Sequence, residues 1–145
     1  MESQIKDWMN SFLTLMDNKY YQYVSDEGQV FKPLEDSSEA IEPYKSLMPS
    51  ILQKSCFRNA LLASLVIPEL EYHQGYYVTD LVGIPFEHAW NVHKGELIDL
   101  TAEKFGIKVV EYFGVQIPND FLERYSDTEQ HLTALQAYLF EINQK

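Results

Sequence analysis

Cysteine is nearly absent from this chain: of 145 residues only Cys56 is one, so no disulfide can close within it. At this length a buried core can form without such a staple, and the expected organisation is one domain spanning residues 1–145. Basic side chains are also scarce, 11 Lys and Arg against 22 Asp and Glu, for a formal charge of −11. That balance repels a phosphate backbone, which excludes nucleic acid from the expected partners. No apolar run reaches the roughly 20 residues of a membrane helix. No N-terminal stretch combines positive charge, an apolar segment and a small-residue cleavage site. The expectation is a soluble protein of a reducing, cytoplasmic compartment with no membrane partner. His93 and His131 have no partner at metal-ligand spacing, so no zinc site is expected, and no cofactor is expected either.

What is present reads as helices first and a sheet afterwards. Ile5, Trp8, Met9, Phe12, Leu15 and Met16 recur at helical spacing over residues 4–17. The aromatic stretch Lys19–Val24 reads as a short strand, and residues 25–42 as an acidic loop broken by Gly28 and Pro33. Residues 43–54 suggest a helix started or kinked by Pro49. Ser55 then offers a cap to an apolar helix over 57–66, which Pro68 ends. Strand patterns follow at 70–79, 86–93, 96–101 and 108–117, close enough together for an antiparallel sheet. A short helix is expected from Pro118, and a last one over 128–142, capped by Asp127 or Thr128. The fold class is α+β, with helices packed on one side of the sheet.

The chemistry lies in the hairpin 86–101. A turn at Lys94-Gly95 sets His93 opposite Glu96, which puts Trp90 opposite Asp99 and makes Asp99 the diagonal neighbour of His88. Phe86, Val92 and Leu97 share that face, so the His–Asp pair is directed towards apolar packing. Two buried polar groups cost a few kcal/mol unless they satisfy each other. Cys56, at the start of a helix laid on this sheet, would sit where positive dipole charge and an imidazole both favour a thiolate. Asp99 would then fix the tautomer of His88 while the sulfur attacks a carbonyl. The Cys56 N–H is one expected oxyanion donor. Gln53 is the candidate for the second, with Asn59, Tyr72, Tyr76 and Tyr77 as competitors.

Ser55-Cys56-Phe57-Arg58-Asn59-Ala60, then His88-Ala89-Trp90-Asn91, then Ile98-Asp99-Leu100-Thr101 resembles the reduced core of transglutaminase-like proteins within the papain-like cysteine fold. The resemblance spans roughly residues 50–117 and implies the roles of catalytic triad for Cys56, His88 and Asp99. The short gap between Cys56 and His88 and the lack of a calcium-loop pattern point to a small bacterial or phage-type member. Two functional expectations follow. One is a hydrolase of peptidase, amidase or deamidase type acting on a peptide, protein or other acyl substrate. The other is a non-catalytic acidic module that keeps the fold and binds a protein partner.

Overall fold

The long strands of the second half, buried on both faces through their middles, form the expected antiparallel sheet. A computed structural model describes residues 2–12, 19–127 and 132–143. Its elements run α1 (Gln4–Phe12), α2 (Lys19–Glu27), β1 (Gln29–Phe31), α3 (Ser38–Ile41), a 3-10 helix (Glu42–Ser50) and α4 (Cys56–Val66). There follow β2 (Glu71–Thr79), β3 (Phe86–His93), β4 (Glu96–Ile98), α5 (Leu100–Phe105), β5 (Val109–Ile117), α6 (Asn119–Ser126) and α7 (Ala134–Ile142). The strands stand in the order β1-β5-β2-β3-β4, each antiparallel to its neighbours. The protein is therefore α+β with a curled five-stranded sheet.

Two glycines, Gly75 and Gly114, are paired across β2 and β5. A Cβ on Gly75 would stand 2.2 Å from the Phe113 carbonyl oxygen, and one on Gly114 would stand 2.5 Å from that of Gln74. Only glycine allows strands to approach this closely. One face of the sheet carries Tyr72, Tyr76, Phe113, Val115 and Ile117, which pack against residues from α1, α2, α4, α6 and α7. On the other face Trp90 and Tyr112 pack with Phe31, Val92 and Leu97. A further cluster around Ile98, Leu100 and Ile51 joins α5 and the 3-10 helix to the end of β4.

Several expectations are corrected. Lys19–Val24 belongs to helix α2 rather than a strand: Tyr20 and Tyr21 both meet Tyr76 on the sheet, and Val24 is fully buried. The supposed loop over 25–42 holds the end of α2, the edge strand β1 and α3. The strand expected to reach Thr101 stops at Ile98, and a helix begins at Leu100. Phe86 shares a face with His88 yet is half exposed. Thr133, not Asp127 or Thr128, caps α7, through a reciprocal capping box with Gln136. Thr128 and the expected helical positions Leu15 and Met16 lie outside the described residues.

Glu111 fastens the N-terminal segment to β5. Its side chain is 1 % exposed and accepts hydrogen bonds from the Ser3 hydroxyl at 2.7 Å, the Ile5 N–H at 2.9 Å and Lys32 Nζ at 2.8 Å. Burial alone would raise this carboxyl, but Lys32 and the hydroxyl and amide donors outweigh it and hold the group below the usual carboxylate range. Glu111→Gln sets amide hydrogens against those donors. It is expected to cost about 2 kcal/mol of stability, read as an earlier urea midpoint with an unchanged slope.

Candidate active site

The nucleophile candidate is placed by a turn that its own helix locks. Lys54 takes a left-handed φ of 58°, and the chain enters α4 through Ser55. One turn into the helix, buried Asn59 closes this entry: its Oδ1 accepts the Leu52 N–H at 3.1 Å and its Nδ2 donates to the Leu52 carbonyl at 2.8 Å. The same Nδ2 donates to Thr101 Oγ1 at 3.0 Å, tying the turn to α5. From α5, Lys104 donates to the carbonyls of Met48 and Ile51 at 2.7 and 2.8 Å. Further along, Asn91 of β3 donates to the Ala60 carbonyl and to Ser64 Oγ, both at 3.0 Å, which seats α4 on the strand that carries His88. The helix entry, β3 and α5 are thus held to one another by side-chain hydrogen bonds.

The hairpin register is the one the sequence predicts. His93 pairs with Glu96, Val92 with Leu97 and Asn91 with Ile98, and the turn residues Lys94 and Gly95 both have positive φ, 50° and 81°. Asp99 comes next and is the N-cap of α5, its Oδ1 accepting the Ala102 N–H at 3.1 Å. Its Oδ2 meets His88 Nε2 at 2.8 Å and accepts the Tyr112 hydroxyl at 2.7 Å. The cap therefore fixes the carboxylate in position and leaves one oxygen for the imidazole and the phenol.

The His88 ring is buried and stacks on Tyr77, with centroids 4.1 Å apart and planes 6° from parallel. Burial opposes a charge on the ring, but the charge and hydrogen bond of Asp99, joined by Cys56, overturn that and raise the imidazole to about 9. Asp99 responds in kind. Burial would raise its carboxyl, yet His88, Ala102 and Tyr112 hold it below the usual range. Burial and the Asp99 charge keep the Tyr112 phenol protonated, so it donates.

Cys56 is half-buried at the first position of α4 and lies beside the His88 ring, close enough to help keep it charged. With Nε2 engaged by Asp99, the ring nitrogen open to sulfur is Nδ1. In unliganded sites the contact between nucleophile and base is often loose and tightens around substrate. Ser55 makes no side-chain cap, so the amides of the first turn, including that of Cys56, are not covered by it.

Of the other candidates, Gln53 is exposed in the turn before α4, and its carbonyl accepts the Ser55 hydroxyl at 3.3 Å. Asn59 is wholly occupied as the clamp just described. Tyr72 donates to Gln74 Oε1 at 2.7 Å, and Tyr76 lies in the buried cluster of α1 and α2. His73 Nε2 meets Glu71 at 3.0 Å, His93 Nδ1 meets the Tyr44 hydroxyl at 2.9 Å, and His131 lies outside the described residues. Sequence reasoning missed Tyr112 and the clamping role of Asn59. Nothing local marks either one, because their partners stand far away in the chain. Comparison with protein-family models, with curated proteins and with solved structures finds no match to this chain.

Proposed function

We propose that the chain is a cysteine-dependent acyl-transfer enzyme of the hydrolase type, with a transglutaminase-like arrangement of the papain-like class. Cys56 is the nucleophile, His88 the general acid and base, and Asp99 the group that orients and charges the ring. The observation that carries this reading is the buried His88–Asp99 bond of 2.8 Å with Cys56 beside the same ring.

In the reaction, the proton of the thiol resides on His88 Nδ1, keeping the ring charged, and the sulfur attacks a carbonyl carbon, forming a C–S bond and an oxyanion. The Cys56 N–H donates to that oxyanion. Collapse breaks the carbon–nitrogen bond, and His88 delivers its proton to the departing amine. Water then attacks the thioester, giving a proton to His88, and the thiol is restored as the acid leaves. Each turnover consumes one amide and one water and releases one acid and one amine. Tyr77, stacked on the ring, fixes its plane and excludes water from one side.

Brief incubation with p-nitrophenyl acetate followed by acid quench is expected to leave one acetyl group on the Cys56 peptide, seen by mass spectrometry. The label should be absent from Cys56→Ser handled in parallel. Acetyl groups found only on lysines, or none at all, would rule out the nucleophile.

A further inference from the structure

Two hydrogen-bond partners converge on one oxygen in the candidate site. Asp99 Oδ2 meets His88 Nε2 at 2.8 Å and accepts the Tyr112 hydroxyl at 2.7 Å, while Oδ1 is taken by the Ala102 N–H at 3.1 Å. The sheet holds the phenol in place. Tyr112 stands in β5 opposite Phe31 of β1 and Tyr77 of β2, is 2 % exposed, and packs on Trp90 with ring centroids 5.1 Å apart.

A tyrosine buried for its bulk needs one acceptor of any kind, and others in this chain find neutral ones: Tyr72 donates to Gln74 Oε1 and Tyr125 to the Leu132 carbonyl. Tyr112 donates to a carboxylate, and to the oxygen that the imidazole uses. Two donors on one oxygen draw on the same negative charge, so the phenol stabilises the carboxylate and slackens its pull on the ring. The other titratable or charged groups around the pair are Cys56 from α4 and Tyr77 from β2 at the ring, with Glu103 and Lys108 lining the pocket that Asp99 and Tyr112 border. Among the described residues none of these four is hydrogen-bonded to Oδ2.

Resting on the reading of Cys56 as nucleophile, we propose that Tyr112 is a positioning residue that moderates the hold of Asp99 on His88, so that the ring can release its proton to the leaving group. With the imidazole alone on Oδ2, the carboxylate would hold the charged ring more tightly and make it a poorer acid. The proton on Nδ1 passes to the departing atom as that atom's bond to the acyl carbon breaks, so the effect grows with the basicity of the leaving group.

The test follows the His88 ring by NMR across pH and the acylation of Cys56 by two esters. In the unaltered protein the ring should lose its proton at about 9. Tyr112→Phe should move that midpoint up by about half a pH unit or more, and 3-fluorotyrosine in place of Tyr112, a stronger donor of nearly the same shape, should move it down. In Tyr112→Phe, phenyl acetate, with the more basic leaving group, should lose about threefold in kcat/KM while p-nitrophenyl acetate stays within about twofold. The two replacements act with opposite sign, so if one fails to fold the other decides. A tyrosine that served packing alone would lower stability and slow both esters alike. A midpoint that neither replacement moves, or equal losses on the two esters, would overturn the role of Tyr112 while leaving the nucleophile standing. Failure of p-nitrophenyl acetate to acylate Cys56 in the unaltered protein would overturn the catalytic reading, and this role with it.

Discussion

Replacing His88 by alanine is expected to lower kcat/KM towards an activated ester by at least about 10³-fold, the scale on which general-base and triad residues act. The sulfur and its helix remain, so the variant isolates the imidazole. Alkylation of Cys56 by iodoacetamide at neutral pH should slow in parallel, since no base stands ready to take the thiol proton. Added imidazole should restore part of both rates by occupying the space between Tyr77 and Asp99, which the ring fills in the folded protein. A histidine that only filled the core would behave differently. Its loss would lower stability, and free imidazole would not restore alkylation. Equal alkylation in the two proteins would therefore remove His88 from the chemistry.

The part of this site that could be read from the sequence is the part set by local rules. Lys94-Gly95 specifies a tight turn, and the turn specifies the register that sets His93, Val92 and Asn91 opposite Glu96, Leu97 and Ile98, which brings Asp99, one residue past β4, within reach of His88. Cys56 at a helix start followed from the apolar run after it and the turn residues before it. What could not be read was set by distant partners. Lys19–Val24 has the aromatic composition of a strand, but packing of Tyr20 and Tyr21 on Tyr76 holds it as a helix, since composition is a weak prior against tertiary contact. β1 has three residues and exists because it pairs with β5. Asp99 was expected within a strand. Its side chain instead captures the Ala102 N–H and turns the chain into α5. That helix carries Thr101 and Lys104, the residues that fasten the entry to Cys56. The capping of Asp99 thus matters twice, once for holding the carboxylate and once for building the helix that positions the sulfur.

Asp99→Asn is expected to cost about 3 kcal/mol near pH 6, the scale on which breaking a buried charge pair acts, and the cost should shrink as pH rises. Asparagine keeps the volume, but its single oxygen can serve either the α5 cap or the Tyr112 hydroxyl and the ring, so the charge and one acceptor are lost together. An imidazole at about 9 when folded, against about 6.5 when unfolded, binds its proton more tightly in the native state. Its contribution is complete below about pH 6.5 and fades as pH climbs through 9. For Asp99 the sign is opposite: its carboxyl is lowered on folding, so its contribution is complete above its unfolded value and is lost as pH falls through the folded one. Between those limits both groups are charged and each supports the other. In the Asp99→Asn variant the ring loses the charge that overcame burial and becomes neutral at lower pH. Urea unfolding of the two proteins across pH 5–10 should therefore show a gap that is widest near pH 6, narrows as pH climbs towards 9 and is smallest above it. A constant gap would mean that the carboxylate acts through shape and capping alone. A gap that widened with pH would mean that His88 is neutral in the native protein, which would leave the pair without the charge assigned to it.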